Sequence, residues 1–171
     1  EAANDFYMWR GEHELMYALL TTLKAVGAVL EVGVGNGGTL SVLAAFANGR
    51  EVHAVDDFSY SDGENQQRAV TIVLNAFPIS LTTAKSRDVT WGKPLAFVHL
   101  DGGHTTVDVQ ADIEKFAPCV SMGGVMVVDD YTTAASQREV RKAVDDYMLA
   151  HAVEWIAVTA GPKLGIWRRV A

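Results

Sequence analysis

The sequence predicts an α/β fold: a mostly parallel seven-stranded sheet with helices on both faces and a C-terminal antiparallel hairpin. Short apolar runs alternate with helical apolar patterns along the chain, as in strands joined by helical crossovers. The last two apolar runs are too close together for a crossover and predict an antiparallel pair. The chain has 171 residues, 49% hydrophobic and 20% charged, which is typical of an ordinary globular α/β domain.

Each element follows from its hydrophobic period. Leucine and methionine recur at helical spacing before Gly27 and predict an N-terminal helical segment, residues 1–27, packed on the sheet. We predict strands over residues 28–33, 51–55, 79–83, 95–100, 124–128, 153–159 and 164–168, and helices over residues 39–47, 65–76, 107–116 and 137–149. No linker or repeat divides the chain, so we expect residues 1–171 to form one domain.

Residues 29–40 are the most distinctive stretch, because an apolar run there ends in four glycines just before a helical pattern begins. Strand, glycine turn and helix is the Rossmann-like arrangement that presents backbone N–H groups and a helix N-terminus to a polar or anionic ligand. Glycine keeps Cβ atoms away from that ligand and tolerates positive φ. The stretch predicts a nucleotide-type cofactor site that includes Gly33, Gly35, Asn36 and Gly37.

Two kinds of cofactor fit this turn. Gly33, Gly35 and Gly38 match the dinucleotide fingerprint, and Asp56 follows 23 residues after Gly33, near where an acid binds a ribose. The pattern E-x-G-x-G-x-G that begins at Glu31 equally resembles the first motif of class I S-adenosylmethionine-dependent methyltransferases. Glu31 favours the second family, because a carboxylate suits an ammonium and a sulfonium but gains nothing beside a pyrophosphate. A nicotinamide dehydrogenase also normally needs a further substrate domain, for which 171 residues leave no room.

Polar side chains follow the second and third strands. Asp56 is predicted to accept hydrogen bonds from both ribose hydroxyls, and Asp57 is a weaker candidate for the same role. Ser86 stands where these methyltransferases often contact adenine. The alternative is that these are ordinary loop residues, since Asp and Ser are common in turns.

Three acids end the adjacent fourth and fifth strands: Asp101, Asp129 and Asp130. Like charges at close range repel, and a divalent cation with hard oxygen ligands would compensate them, which favours a Mg²⁺ site. The alternative is that the acids cap the following helices or bind the cofactor, a role that we also assign to Asp101.

His104 lies three residues after Asp101, in the loop before a predicted helix. A neutral imidazole with an ordinary pKa near 6.5 is suited to accept a proton from a substrate hydroxyl, so His104 and Asp101 are the predicted catalytic pair. The alternative is a surface histidine without a role. His99 lies inside a buried strand pattern and is interpreted as a hydrogen-bonded core residue.

The D-G-G-H segment from Asp101 and the D-D-Y segment from Asp129 resemble the metal-dependent O-methyltransferases of the macrocin O-methyltransferase and cephalosporin-hydroxylase-like group. The resemblance runs from about Ala28 to Tyr131. It implies that Asp101, Asp129 and Asp130 hold Mg²⁺, that His104 is the base, and that S-adenosylmethionine donates a methyl group to a hydroxyl. Relatives often have Glu-Asp where this chain has Asp129-Asp130.

Charge and composition restrict the partners. With 14 Lys and Arg against 21 Asp and Glu, the formal net charge is −7, which disfavours nucleic acid and favours a small-molecule hydroxyl acceptor such as a sugar, polyketide or phenol. No apolar run approaches the ~20 residues of a membrane span, no signal-peptide layout is present, and a single cysteine fits a reducing cytoplasm. The absence of Met at Glu1 suggests trimming, and a homo-oligomer is compatible with the sequence. A NAD-binding oxidoreductase and a non-catalytic partner-binding module remain the alternatives.

Overall fold

A computed structural model describes residues 10–60, 63–134, 137–160 and 163–171. Within these ranges seven strands form one sheet in the order β3-β2-β1-β4-β5-β7-β6. The strands are β1 (Ala28–Val32), β2 (Val52–Asp56), β3 (Ile79–Thr83), β4 (Leu95–Leu100), β5 (Val120–Val128), β6 (Trp155–Ala160) and β7 (Gly165–Arg169). The helices are α1 (Arg10–Thr22), α2 (Gly38–Ala45), α3 (Gly63–Ala76), α4 (Thr106–Phe116) and α5 (Arg138–Ala150), with short 3-10 turns at Ser86–Asp88 and Ala117–Cys119.

The pairing of the strands confirms the predicted fold class. Strands β1 to β5 pair in parallel, whereas β7 pairs antiparallel with both β5 and β6. The chain winds outward from β1 to β3 and then returns to β4, on the other side of β1. Ligands of such sheets bind where the winding reverses, so the carboxyl ends of β1 and β4 mark the candidate site.

Helices cover both faces of the sheet, and each face has its own hydrophobic core. One core joins α1, α2 and α3 to strand residues such as Val29, Phe97 and Val127. The other joins α4 and α5 to strand residues such as Leu30 and Val98. Because strand side chains alternate between faces, every second residue of β1 and β4 belongs to the same core. Burial on both sides explains why these central strands read as continuous apolar runs.

Several element boundaries differ from the sequence prediction, most of them by one or two residues. Strand β5 begins at Val120 rather than at residue 124. Within it, Gly123 takes a φ of 76°, and the pairing register with β4 shifts between Leu95 and Phe97. The backbone at Gly123 forms a bulge within the strand, and the predicted strand began only after this bulge. Strand β6 begins at Trp155, two residues later than predicted. In the described ranges, no helix combines the length and the apolar character needed to cross a membrane.

Backbone contact at Gly33 joins the ends of β1 and β4. Gly33 has a φ of 83°, and a Cβ atom on it would lie 1.9 Å from the carbonyl oxygen of Asp101. The Asp101 N–H donates to the carbonyl of Val32 at 2.8 Å, which holds the two strand ends together. Gly35 also has a positive φ of 52°, but a Cβ there would meet open space. The first glycine is therefore required by the packing of the protein on itself.

Replacing these two glycines separates packing from backbone strain. We expect Gly33→Ala to lower the free energy of unfolding by roughly 3–5 kcal/mol, because it adds a steric clash to left-handed strain. Gly35→Ala is the matched control and is expected to cost only roughly 1–2 kcal/mol. Urea denaturation of both variants gives the comparison, and equal losses would contradict the proposed contact with Asp101.

Candidate active site

The predicted catalytic residues lie together at the carboxyl edge of the sheet. The Nε2 atom of His104 is 3.9 Å from Oδ1 of Asp101 and 3.5 Å from Oδ2 of Asp130. Asp129 and Asp130 follow β5 directly, and both residues are 7% exposed. The His104 side chain is about half exposed. The structure thus places an accessible imidazole beside Asp101 and Asp130, two carboxylates that are distant from each other in the sequence.

The local backbone fixes these side chains. The Asp129 N–H donates to the carbonyl of Leu100 at 2.9 Å, which pairs the end of β5 with the end of β4. Asp130 takes a left-handed φ of 56°, a conformation that Asp tolerates better than most residues. The side-chain amide of Gln137 donates to Oδ2 of Asp130 at 2.8 Å. The backbone at Asp129 and the side chain of Asp130 are therefore each held by a hydrogen bond.

Asp56 supports the glycine turn from the neighbouring strand β2. Its Oδ2 accepts from the backbone N–H groups of Val34 at 2.6 Å and Gly35 at 3.0 Å, and its Oδ1 accepts from the N–H of Phe58 at 2.6 Å. Two N–H groups of the turn are therefore bonded within the protein. A carboxylate has about four acceptor positions, so ribose binding by Asp56 stays a prediction.

The rest of the turn is divided between packing and exposure. The N–H of Gly37 donates to the carbonyl of Val34 at 2.9 Å, and a Cβ on Gly37 would lie 3.2 Å from the side chain of Val73 on α3. Asn36 is exposed at the turn. Of these residues, Asn36 has the side chain that is open to a ligand from solvent.

Two further predicted cofactor residues, Asp57 and Ser86, form hydrogen bonds within the protein. Asp57 accepts from the hydroxyl and the N–H of Ser59 at 2.7 and 3.0 Å, and these bonds lower the pKa of Asp57. Burial raises the pKa of Asp112 on α4, and the side chain of Ser86 opposes this shift. The backbone carbonyl of Ser86 accepts a hydrogen bond from the Lys115 ammonium at 2.7 Å. Ser86 thus connects to α4, and its contact with adenine is untested.

Glu31 forms a buried pair with His99. The two residues face each other in the register of β1 and β4, both are at most 1% exposed, and Oε1 lies 3.3 Å from Nδ1. Burial raises the pKa of Glu31 to about 7, although His99 opposes the shift, and the charges of Asp101 and Asp56 add to it. Burial alone would lower the pKa of His99, but Glu31 raises it. Direct contact of Glu31 with a cofactor stays a prediction.

His99 is buried as expected, but its hydrogen bonding is incomplete. Among the described residues its Nε2 has no hydrogen-bond partner. Once β1 and β4 are known to be neighbours, the sequence accounts for the pairing of His99 with Glu31, because Glu31 precedes Gly33 by two residues and His99 precedes Asp101 by two. Equal distances from the ends of adjacent parallel strands place two side chains on the same face.

The sequence reasoning missed Lys163, which lies just before β7. Its Nζ is 3.3 Å from Oδ2 of Asp129 and 3.1 Å from Oδ1 of Asp130. Burial alone would lower the pKa of Lys163, but the two carboxylates raise it well above its ordinary value. The predicted hairpin indicates the contact between Lys163 and the two carboxylates only when β7 is known to pair with β5. The tertiary structure shows that pairing.

The pKa values of Asp101 and His104 depend on burial and on the acid cluster, which is formed by the three carboxylates Asp101, Asp129 and Asp130. Burial raises the pKa of Asp101. At 3.9 Å the contact between His104 and Asp101 is electrostatic rather than a hydrogen bond. That attraction raises the pKa of His104, partial burial opposes it, and the charges of Asp130 and Asp129 support it. The cluster therefore makes the neutral imidazole of His104 a stronger base than an isolated histidine.

The arrangement does not fit the magnesium site that was expected at Asp101, Asp129 and Asp130. The ammonium of Lys163 lies against one oxygen of Asp129 and one of Asp130, where a divalent cation would meet a like charge. In the described part of the chain, no group of three or more His, Cys, Asp or Glu side chains is placed to hold a metal ion. Oδ1 of Asp129 is buried without a described partner, but a single oxygen does not make a Mg²⁺ site.

The family of the chain is identified by its sequence. Residues 30–131 match the model of a family described as "Methyltransferase domain". The match covers more than half of the chain and includes both the glycine turn and the acid cluster, so the chain belongs to this family. The prediction of a class I methyltransferase is therefore confirmed. A comparison with curated protein sequences finds no match.

Solved structures with the same fold include several methyltransferases. The O-methyltransferase NovP aligns with a TM-score of 0.77 and 18% identity, over 94% of this chain and 80% of that one. The O-methyltransferase TomG from Streptomyces achromogenes, solved with S-adenosylmethionine, gives 0.73 and 17%, over 98% and 83%. The N-methyltransferase NodS from Bradyrhizobium japonicum, solved with S-adenosylhomocysteine, gives 0.68 and 14%, over 94% and 86%. At these identities the likeness shows the fold, which both O- and N-methyltransferases share.

The buried pair Glu31–His99 predicts how stability depends on pH. Because the pKa of Glu31 in the folded state is about 7 against 4.5 in a model peptide, the folded state retains a proton that the unfolded state releases. The raised pKa of His99 acts in the same direction. Stability from this pair is therefore present at low pH and is lost as pH rises from about 4.5 through 7, by on the order of 3 kcal/mol.

Glu31→Gln should flatten this dependence, because the amide does not titrate. Chemical denaturation at pH 5 and pH 8 measures the difference, with Glu64→Gln on the exposed side of α3 as the control that keeps the wild-type slope. The assignment fails if Glu31→Gln loses as much stability between the two pH values as the wild type does.

Proposed function

We propose that this chain is an S-adenosylmethionine-dependent methyltransferase that methylates a hydroxyl group of a small molecule, with His104 as the general base. The observation that carries the proposal is the half-exposed imidazole of His104 between Asp101 and Asp130. It lies at the edge of the sheet where the glycine turn meets β4. The proposal takes residues 1–171 as one methyltransferase domain.

The donor site is proposed at the turn between β1 and α2. The exposed side chain of Asn36, the one remaining acceptor position of Asp56 and the neighbouring Asp57 are suited to the hydroxyls and the ammonium of the cofactor. When bound, the cofactor supplies an electrophilic methyl group on a sulfonium. Glu31 is buried beneath the turn, with 1% of its surface exposed. We therefore propose that it influences the electrostatics and the shape of the site.

His104 removes the proton that methylation of a hydroxyl releases. Methyl transfer would form a bond between the acceptor oxygen and the methyl carbon and would leave the sulfur with the electron pair of the broken carbon–sulfur bond. Nε2 of His104 would take the hydroxyl proton. Asp101 and Asp130, at 3.9 and 3.5 Å from Nε2, stabilise the imidazolium that results. Asp101 is thus the proposed catalytic partner of His104.

The need for a base favours oxygen as the acceptor atom. A neutral hydroxyl is a weak nucleophile until its proton is removed, whereas a neutral amine attacks without prior deprotonation. Two of the solved structures with this fold are O-methyltransferases by name. An acceptor that is neutral at its reacting end is also compatible with the three carboxylates of the site. The net charge of −7 on the chain does not favour nucleic acid as the acceptor.

Mg²⁺, which the resemblance implies, has no part in this proposal, because Lys163 contacts Asp129 and Asp130, two of the three carboxylates that would bind it. The alternative of a NAD-binding oxidoreductase is not favoured, because the family match includes both the turn and the acid cluster. Recognition of the acceptor is proposed for Asn4–His13, Phe58–Gln66, Thr132–Ser136 or a second subunit. Of these segments, residues 4–9, 61–62 and 135–136 lie outside the described residues.

Cofactor binding tests the class of enzyme directly. We expect S-adenosylhomocysteine to raise the melting temperature of the protein, because a ligand at about 100 times its dissociation constant stabilises the folded state by about 2.7 kcal/mol. NAD at the same concentration is expected to give no shift. Thermal denaturation with each ligand makes the comparison, and a shift with NAD alone would support the oxidoreductase instead.

The role of His104 is tested by substitution. With an acceptor identified from a panel of sugars, phenols and other small hydroxyl compounds, we expect His104→Ala to lower kcat by about 10²- to 10⁴-fold. The affinity for S-adenosylhomocysteine, measured by calorimetry, should stay within about threefold of wild type because His104 is placed on the acceptor side. His151→Ala, at the end of α5, is the control with unchanged kcat. Loss of cofactor binding in His104→Ala would show that His104 has been misassigned.

A further inference from the structure

We infer that Lys163 is the resident cation of the acid cluster, and that this cluster works without a divalent metal ion. The inference rests on the proposed function only in placing the reaction at this cluster. It is carried by the positions of Lys163, His104 and the three carboxylates.

Each carboxylate of the cluster has a cationic or ionisable partner from the chain itself. Lys163 contacts Asp129 at 3.3 Å and Asp130 at 3.1 Å. His104 contacts the second oxygen of Asp130 at 3.5 Å and lies 3.9 Å from Asp101. Since buried carboxylates are costly unless they are paired, these contacts supply the compensation for which a metal ion was expected.

The position of Lys163 is set by the pairing of β7 with β5. Gly165 is paired with Val128 in the antiparallel register, and continuing that register by two residues brings Lys163 opposite Asp130. Leu164, the residue between, is 1% exposed in the core. The lysine is thus attached to a buried segment and is itself 27% exposed at its side chain, unlike a solvated surface lysine.

Close packing keeps this segment in place. A Cβ on Gly165 would lie 2.2 Å from the ring of Trp167 and 2.9 Å from the ring of Tyr131, and these two rings meet edge to face at 5.1 Å. Tyr131 directly follows Asp130. The start of β7 and the end of β5 are therefore packed against each other beside the cluster.

Lys163 is a positioning residue in this arrangement. It contacts Oδ1 of Asp130, while Oδ2 of the same side chain accepts from Gln137 and lies near His104. A carboxylate held in this way keeps one oxygen towards the base. Mg²⁺ requires near-octahedral oxygen ligands at 2.0–2.1 Å, so it would have to displace the ammonium from both Asp129 and Asp130.

Binding of Mn²⁺, followed by the electron paramagnetic resonance signal of the free ion, tests the inference without any acceptor. Wild type is expected to show no stoichiometric binding, and EDTA should leave its melting temperature unchanged. Lys163→Met removes the charge at similar length. It is expected to bind one Mn²⁺ with an affinity at least about tenfold above that of wild type, and to regain melting temperature when Mn²⁺ is added.

Three further variants identify the cause. Lys163→Arg retains the charge and should behave as wild type, and Lys142→Met, which removes a surface lysine of α5, should also bind no Mn²⁺. The double variant Lys163→Met with Asp129→Asn should lose the binding gained by the single variant. A purely structural role for Lys163 would lower the melting temperature without creating a Mn²⁺ site.

Stoichiometric Mn²⁺ binding by the wild type, equal to or tighter than that of Lys163→Met, would overturn the inference. If Lys163→Met does not fold, the wild-type titration decides alone, with tight binding against the inference and no binding for it. S-adenosylhomocysteine binding is measured on the same samples in EDTA. Its absence in wild type counts against the proposed methyltransferase activity, independently of the result for Mn²⁺.

Discussion

The site depends on the contact between the backbones of β1 and β4 at Gly33. No side chain fits between this residue and the carbonyl of Asp101, so the turn that begins at Gly33 and the loop that begins at Asp101 lie directly against each other. Asp56 holds the turn from the opposite side through the N–H groups of Val34 and Gly35. A donor bound at the turn would consequently lie next to the loop that contains His104.

Electrostatics then sets the chemistry of this edge. Parallel strands bring their carboxyl ends together, and in this chain those ends include Asp101, Asp129 and Asp130. The protein compensates them with two groups of different chemistry: His104, which is half exposed and able to exchange protons, and Lys163, which is held against the acids. Beneath them the pair of Glu31 and His99 places a further ionisable carboxyl within the sheet. The site thus combines a fixed cation with an imidazole that is open to solvent.

Sequence patterns predicted the fold well because each pattern has a local cause. Alternating periods predict alternating strands and helices, short separation of the last two runs predicts a hairpin, and a glycine-rich turn after an apolar run indicates the cofactor edge. The error at β5 has a local cause too, since the bulge at Gly123 interrupts the strand and the predicted strand began only after it. The grouping of Asp101, His104 and Asp130 was predictable because all three follow strands whose carboxyl ends share one edge.

The sequence alone thus determined the fold class, the family motif and the edge where polar residues meet, because these depend on periodicity and on residues close in the chain. Only the tertiary structure decided which partner each acid has. The pairing of β7 with β5 brings Lys163 opposite Asp130, and the pairing of β1 with β4 brings His99 opposite Glu31. Strand register between distant segments is not encoded in any local pattern. For that reason the charges alone indicated a metal ion where the folded chain places a lysine.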